Sequence, residues 1–419
     1  AMRLNPHYPS QYPAVMGYAH YFMGEWEDAE KYLKQALARQ PDDPMVLNNL
    51  GQVYYYQFKY DAALTLFQKA ISIAPGLSSV FLNLGMLMAA NGDFDSARQY
   101  YLQAAKDPAL LNSAYINISH IELLQQNFME GWNYYRYREG TRQQLDRLPE
   151  TLPADLKGLN FLIAKDQGLG DEIFFCRFLP LLQARGANVT YYTDPRLSSM
   201  LRRSLETVNV VDEIPPQANF NGTLPVSELP RLLWNDVSQS LPASIELKAD
   251  ENILDSVKSL VPANRLKNIA VSWEAGTPGT TTLYKRVDPY ELGCTLRHTN
   301  ANILVIQRNP TARDLKALEN GLRRKVFNLS FLNNNLEEML AFLTLIDEYV
   351  TVSNTNIHLM AGVARNPRVL VPHPAEWRWT LEQHSPWFPA FSLYRQDSSG
   401  SWQKALEQCF NDITDNVTH

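Results

Sequence analysis

Two short segments of the chain carry side chains whose types and spacing suit chemistry on a charged substrate. The first is the glycine turn, residues 166–172 (DQGLGDE), which follows an apolar run and opens a helical one. Two carboxylates, Asp171 and Glu172, stand where that helix begins. A carboxylate beside a hydroxyl can accept its proton, so this pair, and Asp171 first, is the predicted general base of a group transfer. Gly168 and Gly170 would let an acceptor substrate approach the backbone closely.

The two carboxylates of the glycine turn also have a purely structural explanation. Acidic side chains near a helix N-terminus stabilise the helix dipole, by about 0.3–1 kcal/mol each. The same negative charges would repel a phosphate group from this turn. We therefore expect a diphosphate to bind elsewhere and an acceptor alcohol to bind here.

The second segment is the amide segment, residues 353–358 (SNTNIH), which opens a predicted helix without any acidic side chain. Free N–H groups and the partial positive charge of a helix N-terminus suit a phosphate. A nucleotide diphosphate is therefore predicted to bind at this segment. The predicted contacts are Ser353, Asn354, Thr355 and Asn356. His358 is a further candidate contact to phosphate or sugar, with a buried core histidine as the alternative.

Cationic side chains can neutralise a departing diphosphate without a metal ion. Lys285 and Arg286 end a loop, residues 274–286, that we expect to face the amide segment. Gln307, at the end of the apolar run NILVIQ, is a candidate contact to the nucleoside. These three side chains complete the predicted donor site.

Short apolar runs that alternate with helical runs position both segments. The predicted strands are, in chain order, LNFLIA, NVTYYTD, VNVVDEIP, NIAVSWE, NILVIQ, KVFNLS, EYVTVS and RVLVP. This alternation indicates parallel sheets covered by helices on both faces. Ligands of such folds bind at the carboxyl ends of the strands, where the candidate loops lie. The sequence predicts two Rossmann-like halves with a cleft between them, 159–250 for the acceptor and 251–419 for the nucleotide sugar.

The N-terminal part of the chain repeats with a period of 34 residues, as Gly51 and Gly85 illustrate. Small residues at such positions let paired helices approach closely, and prolines end each pair. The pattern resembles the tetratricopeptide repeat. It predicts an α-helical solenoid over residues 1–145, followed by a proline-containing linker at 146–158.

Asparagine recurs with the same period, at Asn49, Asn83 and Asn117. Each lies two positions before the small residue of its helix, which predicts a ladder on the concave face of the array. An amide offers a donor and an acceptor, so it can hold a peptide backbone of any sequence. The repeat arrays of protein O-linked N-acetylglucosamine transferases are similar, and their ladder holds acceptor chains. We predict that this ladder binds a protein or glycan acceptor, with bonds between neighbouring helices as the alternative.

Composition argues against several other classes of protein. The formal net charge of −6 lacks the basic excess of a nucleic-acid-binding protein. No apolar run approaches the roughly 18 residues of a transmembrane helix, so a cytoplasmic location is expected. Three widely separated cysteines predict neither a disulfide framework nor a zinc site. The D-x-D sequence at 93–95 lies in a repeat turn where aspartate caps helices, so no metal site is predicted.

The chain resembles a known family at both candidate segments. Bacterial tetratricopeptide-linked glycosyltransferases, relatives of the lipopolysaccharide heptosyltransferases, have segments similar to GLGDEIFFCRFLPLLQARGANV, to the closing run EWRW…SPWFP and to the repeat ending EGWNYYRYR. The resemblance implies a GT-B fold, a nucleotide-sugar donor, no metal, and an acidic base at Asp171. Asn354 replaces the acidic residue that relatives carry in this loop. The first Rossmann-like half is short, and we expect the repeats to complete its wall.

Three functions fit these observations. The first is a metal-independent, inverting glycosyltransferase that moves a sugar from a nucleotide diphosphate sugar to a protein or glycan acceptor recruited by the repeats. The second is a catalytically degenerate scaffold of the same fold, which the asparagine at position 354 keeps open. The third is another enzyme with two Rossmann-like halves, such as a sugar-nucleotide epimerase. No cofactor beyond the donor substrate is predicted.

Overall fold

A computed structural model of the 419-residue chain describes most of its residues. The described residues are 12–138, 141, 145–214, 218–237, 240–275 and 285–415. Most of the predicted loop at 274–286 therefore lies outside the described residues. Within them, none of the helices combines the length and the apolar character that crossing a bilayer requires.

The N-terminal part is an array of antiparallel helix pairs. Its helices are α1 (Tyr12–Met23), α2 (Trp26–Arg39), α3 (Pro44–Tyr56), α4 (Tyr60–Ile73), α5 (Ser78–Ala90), α6 (Phe94–Ala104), α7 (Leu111–Leu124) and α8 (Phe128–Tyr135). A Cβ atom at Gly51 would lie 2.5 Å from the Phe67 ring, and one at Gly85 would lie 2.5 Å from the Tyr101 ring. The small residues of the repeat therefore let the helices of each pair touch, as the period predicts.

The turn inside each helix pair requires a left-handed backbone conformation. Gly24, Phe58, Gly92 and Gln126, spaced by one period, have φ values of 72°, 60°, 79° and 65°. Glycine adopts this conformation freely, whereas a bulky side chain disfavours it. Phe58 packs against Gly400 near the C-terminus, where a Cβ atom would come within 2.6 Å of its ring. The edge of the array formed by these turns thus contacts the C-terminal half.

A first parallel sheet follows the array, with the strand order β3-β2-β1-β4. Its strands are β1 (Asn160–Ala164), β2 (Asn188–Tyr192), β3 (Asn209–Val211) and β4 (Gly222–Pro225). Its helices are α9 (Leu169–Phe175), α10 (Leu179–Ala184), α11 (Pro195–Ser204) and α12 (Leu229–Leu233). The central strand β1 pairs in parallel with both of its neighbours. The glycine turn joins the carboxyl end of β1 to α9.

The second parallel sheet has the strand order β10-β9-β8-β5-β6-β7. Its strands are β5 (Lys267–Ser272), β6 (Ala301–Val305), β7 (Phe327–Asn328), β8 (Glu348–Val352), β9 (Arg368–Val371) and β10 (Ser392–Arg395). Its helices are α13 (Glu251–Lys258), α14 (Pro289–Leu296), α15 (Ala312–Leu322), α16 (Leu336–Leu343), α17 (Thr355–Gly362) and α18 (Gln403–Asp415). The amide segment joins the carboxyl end of β8 to α17.

The predicted fold class, a tetratricopeptide-repeat solenoid followed by a GT-B-like pair of Rossmann-like units, is confirmed. Two strands were absent from the prediction. β4 has four residues and ends in a proline, which cannot donate to a ladder, and β10 is a short edge strand. The repeat helices run to Tyr135, and β1 begins at Asn160. The domain boundaries at 145, 158 and 250 stay a prediction.

The last repeat shares a core with both halves. Trp132 on α8 is buried, and its ring centroid lies 6.2 Å from that of Trp234 in the first half. It also lies 5.4 Å from Trp377 and 5.9 Å from Trp387 of the C-terminal half. Aromatic pairs at such separations add packing energy to the area that they bury. The array therefore completes the wall of the short first half.

Candidate active site

The glycine turn and the amide segment lie against each other. A Cβ atom at Gly170 would come within 2.9 Å of His358 Cδ2 and 3.3 Å of the Thr355 Cα atom. Gly170 is therefore explained by the close approach of α9 and α17, not by a substrate at its backbone. Gly168 is open, since a Cβ atom there would have Asp171 Oδ2, at 3.8 Å, as its nearest neighbour. The two candidate segments, one from each half, form one junction.

Asp171 faces the C-terminal half across this junction. Its side chain is 31% exposed, and its Oδ1 atom accepts a hydrogen bond from Nη2 of Arg378. Arg378 belongs to the 3-10 turn Trp377–Trp379, and its guanidinium lies 4.3 Å from the Trp377 ring centroid and 4.9 Å from that of Phe174. The carboxylate is thus accessible to solvent and held by a cation from the other half.

Glu172 points into the first half and does not line the junction. It is 1% exposed, and its Oε1 atom accepts hydrogen bonds from Tyr191 Oη (3.1 Å), Asp194 N (3.1 Å) and the Thr193 hydroxyl. Burial raises the pKa of this carboxyl, whereas the three hydrogen-bond donors lower it and only partly offset the effect of burial. Glu172 therefore anchors α9 to the end of β2, which corrects the prediction that it acts on a substrate.

Lys285 reaches the junction through an ion pair. Its Nζ atom lies 2.5 Å from Oε1 of Glu376, a carboxylate that lies near the Ser353 side chain. Burial alone would raise the pKa of Glu376, but Lys285 and Arg378 lower it to about 2. Glu376 is therefore an anion that pairs with Lys285 near the start of the amide segment.

Arg286 is bound to two carboxylates inside the C-terminal half. Its guanidinium donates to Glu274 Oε2 at 2.7 Å and to Asp314 Oδ1 at 2.8 Å. Two negative partners already neutralise its charge. The prediction that Arg286 binds the leaving diphosphate is corrected accordingly.

Asn354 is the N-cap of α17, and its whole side chain is engaged. Its Oδ1 atom accepts from the Asn356 backbone N–H at 3.0 Å. Its Nδ2 atom donates to the hydroxyls of Thr351 (2.8 Å), Ser272 (3.0 Å) and Tyr349 (3.0 Å). Asn354 therefore fixes the helix start to the second sheet instead of offering free donors to a phosphate. Ser353 and Asn356 are buried beside it, and Thr355 is half-buried.

His358 lies within a cluster of positive charges. It is 6% exposed, and its Nδ1 atom has no hydrogen-bond partner among the described residues. Burial, together with Arg378, Arg177 and Lys285, holds the pKa of His358 well below its usual value. The imidazole is therefore neutral, with one buried nitrogen at the junction.

Arg177 is a functional candidate that the sequence prediction missed. It is buried and donates to three backbone carbonyls and one hydroxyl, those of Phe174, Pro242, Trp387 and Ser244. None of these acceptors carries a charge, and burial lowers the pKa of Arg177 to about 9. The signal in the sequence is a lone arginine within the apolar run EIFFCRFLPLL. A buried cation that has no carboxylate contact among the described residues leaves positive potential beside His358.

Gln307 has a structural role at the ends of two strands. Its Oε1 atom accepts from the backbone N–H groups of Trp273 (2.9 Å) and Glu274 (3.0 Å). Its Nε2 atom donates to the carbonyls of Glu274 (3.1 Å) and Arg308 (3.2 Å). Both ends of the amide are occupied, which corrects its prediction as a contact to the nucleoside.

His120, on α7 of the repeat array, borders the junction and was also missed. Its side chain is exposed to solvent, and α7 packs on the 3-10 turn Trp377–Trp379. The surrounding protein and Arg378 lower the pKa of His120, although Glu376 and Asp171 oppose the shift and the exposure of the ring to solvent limits it. The array thus contributes a neutral imidazole to the surroundings of Asp171.

The predicted asparagine ladder divides into two groups. Asn83 is buried, donates to Asn48 Oδ1 at 2.8 Å and accepts from Gln52 Nε2 at 2.9 Å. Asn83 therefore joins neighbouring helices, which corrects its prediction as a contact to an acceptor chain. Asn49 and Asn117 are half-buried, and their role stays a prediction.

Comparison with known protein families and curated proteins identifies the N-terminal part. The tetratricopeptide repeat family matches residues 14–76 and 42–106. Protein FlbA of Caulobacter vibrioides is 21% identical over 307 residues, which cover 66% of this chain and 51% of FlbA. The chain therefore spans about half the length of this curated relative. Its N-terminal region consists of tetratricopeptide repeats.

Two solved structures are each similar to part of this chain. The crystal structure of MamA is similar with a TM-score of 0.30 and 17% identity, covering 34% of this chain and 84% of MamA. The crystal structure of the glycosyl transferase family 9 from Veillonella parvula DSM 2008 is similar with a TM-score of 0.46 and 9% identity. That similarity covers 64% of this chain and 98% of the other.

Proposed function

We propose that the protein is a metal-independent glycosyltransferase that moves a sugar from a nucleotide diphosphate sugar to a hydroxyl of a protein or glycan. One observation carries the proposal. The close packing of Gly170 on α17 brings the solvent-accessible Asp171 beside the helix start that suits a diphosphate. A base and an anion site from the two halves are the minimum that direct transfer requires.

Asp171 is the proposed general base. The acceptor oxygen forms a bond to the anomeric carbon of the sugar while its proton passes to a carboxylate oxygen of Asp171. The bond from the anomeric carbon to the phosphate oxygen breaks, and the nucleoside diphosphate leaves with the electron pair. Attack from the face opposite the leaving group inverts the anomeric centre.

Fixed cations offset the charge that develops on the leaving group. Three cations lower the pKa of His358, namely Arg177, Arg378 and Lys285. Two of them are paired with carboxylates, Arg378 with Asp171 and Lys285 with Glu376. Three positive and two negative charges leave one positive charge in excess in this group. Charges that are held in place before the reaction stabilise a developing anion without reorganisation. This excess supports metal-independent departure of the diphosphate.

The repeat array is the proposed recruiter of the acceptor. Asn117 and His120 are three residues apart on α7, so they lie on one face of that helix. The exposed imidazole of His120 lies near Asp171, and the half-buried amide of Asn117 lies about one turn before it on α7. An acceptor chain held along α7 would present its hydroxyl to the junction.

A panel of nucleotide diphosphate sugars tests the proposal by thermal shift, because a ligand at 100 times its Kd adds roughly 2.7 kcal/mol of stability. Release of the nucleotide is then measured with the sugar nucleotide that binds. We expect Asp171→Asn to bind it and to lose about 100- to 10,000-fold in turnover. The control is Asp95→Asn, the same change in the first turn of α6. A wild-type protein that neither binds nor turns over any member of the panel contradicts the proposal.

A catalytically degenerate scaffold is the second candidate, and a specific observation favours it. Asp171 is paired with Arg378, Lys285 with Glu376, and Arg286 with two carboxylates. Three of the four candidate cations, all except Arg177, are thus already paired with carboxylates inside the protein. Under this function the array binds a partner protein with an affinity that Asp171→Asn leaves unchanged, and no sugar nucleotide is consumed.

A further inference from the structure

The segment that ends the repeat array, EGWNYYRYR at 130–138, carries a buried arginine directed at the glycine turn. Arg138 is 6% exposed and donates a hydrogen bond to Asp166 Oδ2. Its guanidinium carbon lies 4.7 Å from the centroid of the Tyr135 ring, which is itself buried. Arg138 is therefore fixed by the last repeat on one side and by the glycine turn on the other.

Gln167 connects Arg138 to Asp171. In the amide orientation that satisfies both ends, its oxygen accepts from Arg138 Nε and its nitrogen donates to Asp171 Oδ2 at 3.3 Å. Asp166, the preceding residue, also accepts a hydrogen bond from the Ser227 hydroxyl. Arg138 thus holds both residues that precede Gly168, and the second of them holds the carboxylate.

The two oxygens of Asp171 accept hydrogen bonds from two different parts of the molecule. Oδ1 accepts from Arg378 of the C-terminal half, and Oδ2 accepts from Gln167, which Arg138 holds. Without the second contact, both oxygens could close on the Arg378 guanidinium, because arginine and carboxylate pair readily in a bidentate fashion. An oxygen with one amide donor keeps a lone pair free for an incoming hydroxyl.

We infer that Arg138 is a positioning residue for the transfer, through which the end of the repeat array sets the orientation of the Asp171 carboxylate. This inference rests on the proposed function, since it concerns the proposed base. Arg138 and Asp166 form a pair of opposite charges, so the array transmits geometry to Asp171 and not a net charge. The array is then part of the catalytic machinery and not only a recruiter.

The experiment separates this role from a role in folding with Arg138→Lys and Gln167→Met. A lysine restores the charge opposite Asp166 but cannot supply the second N–H in the planar geometry of arginine. We expect Arg138→Lys to keep a melting temperature close to that of the wild type. We expect both variants to lose roughly 10- to 100-fold in kcat, because small misplacements of reacting groups cost that much. The KM for the sugar nucleotide stays within about twofold.

A combined variant and a matched control complete the design. Arg138→Lys with Gln167→Met loses no more in kcat than either change alone, since both break one chain of contacts. The control is Arg136→Gln, which removes an arginine of the same segment whose partner, Glu150, is exposed. Its kcat remains that of the wild type.

The outcomes distinguish this inference from the proposed function. A wild type without turnover overturns the proposed function and the inference together. If the wild type is active and Gln167→Met has the same kcat, the inference is overturned but the proposed function is not. The inference is also overturned if Arg138→Lys has both the kcat and the melting temperature of the wild type, because an arginine with only a structural role would tolerate that change.

Discussion

Two helix starts face each other at the junction, and they differ in electrostatic character. Both follow a central strand of a parallel sheet, β1 for α9 and β8 for α17. The start of α9 has no side-chain cap and two acidic residues in its first turn. The start of α17 is capped by Asn354 and has no acidic residue there. The same local structure, repeated in two halves, thus gives one helix start that carries negative charge and one that does not, and the proposal assigns the diphosphate to the second.

The two carboxylates of α9 lie in different environments. Asp171 and Glu172 are adjacent in sequence, yet one is solvent-accessible at the junction and the other is buried beside β2. Successive side chains on a helix point about 100° apart, so one residue of offset decides between the two environments. A doubly acidic turn therefore supplies two different groups, the proposed general base and an internal anchor.

The largest effect should come from making the two helix starts alike. Thr355→Asp places a carboxylate at the start of α17, where the proposed diphosphate binds. A like charge about 4 Å away costs about 4 kcal/mol near a protein surface, so the Kd for the sugar nucleotide should rise by roughly 1000-fold. Titration calorimetry measures it, and Thr355→Asn is the uncharged control. Equal affinities in the two variants would mean that the anion does not bind at the amide segment.

The second prediction concerns the anchor. Glu172→Ala removes the acceptor of the Tyr191 hydroxyl and of the Asp194 N–H, leaving buried donors without a partner. The free energy of unfolding in urea should fall by about 1–3 kcal/mol. Glu172→Gln keeps an acceptor oxygen and should lose less. Turnover should survive both changes, and its selective loss with stability intact would restore Glu172 as a catalytic candidate.

The third prediction concerns the pH dependence of stability. His358 of the amide segment is kept neutral by burial and by nearby cations. Its pKa lies well below the ordinary value near 6.5. Below about pH 6.5 the unfolded chain binds a proton that folded His358 does not, so stability is full above that pH and falls as the pH is lowered. His120, whose pKa is also lowered, adds less to the same fall because its side chain is exposed to solvent.

Urea unfolding between about pH 7.5 and about pH 5 measures this dependence across the ordinary histidine pKa. His358→Asn should flatten the curve in part, because His120 still contributes. His384→Gln, which removes an exposed imidazole, serves as the control. A curve that His358→Asn leaves as steep as that of the wild type would exclude a buried neutral histidine at this position.

Periodicity and alternation in the sequence were sufficient for the fold and for the meeting of the two segments. Glycine spacing gave the repeats, apolar runs gave eight strands, and the rule that ligands bind at the carboxyl ends of strands brought the glycine turn and the amide segment together. These features depend on local patterns. They can therefore be predicted without knowing which side chains contact each other.

Partners across the molecule could not be predicted in this way. Arg378 pairs with Asp171 over 207 positions of sequence, and only the docking of the two halves brings them together. Arg286 and Gln307 were assigned to a substrate because they stand at the correct edge of the sheet, but their neighbours satisfy them. Position at a strand end shows where a site lies, whereas hydrogen-bond partners decide which residues are free to act in it.

The smallest effect tests what keeps the two helix starts together. The array holds the C-terminal half at Phe58, a left-handed position where two of the other repeats have glycine. Gln126→Gly, at the equivalent exposed position, should stabilise the protein by about 1 kcal/mol, because it relieves a strained backbone. Phe58→Gly relieves the same strain but removes the ring from Gly400, so its gain in the free energy of unfolding should be smaller. If the two variants are stabilised equally, then Phe58 contributes nothing to docking, and the array is held on the C-terminal half by other contacts, such as the aromatic core around Trp132.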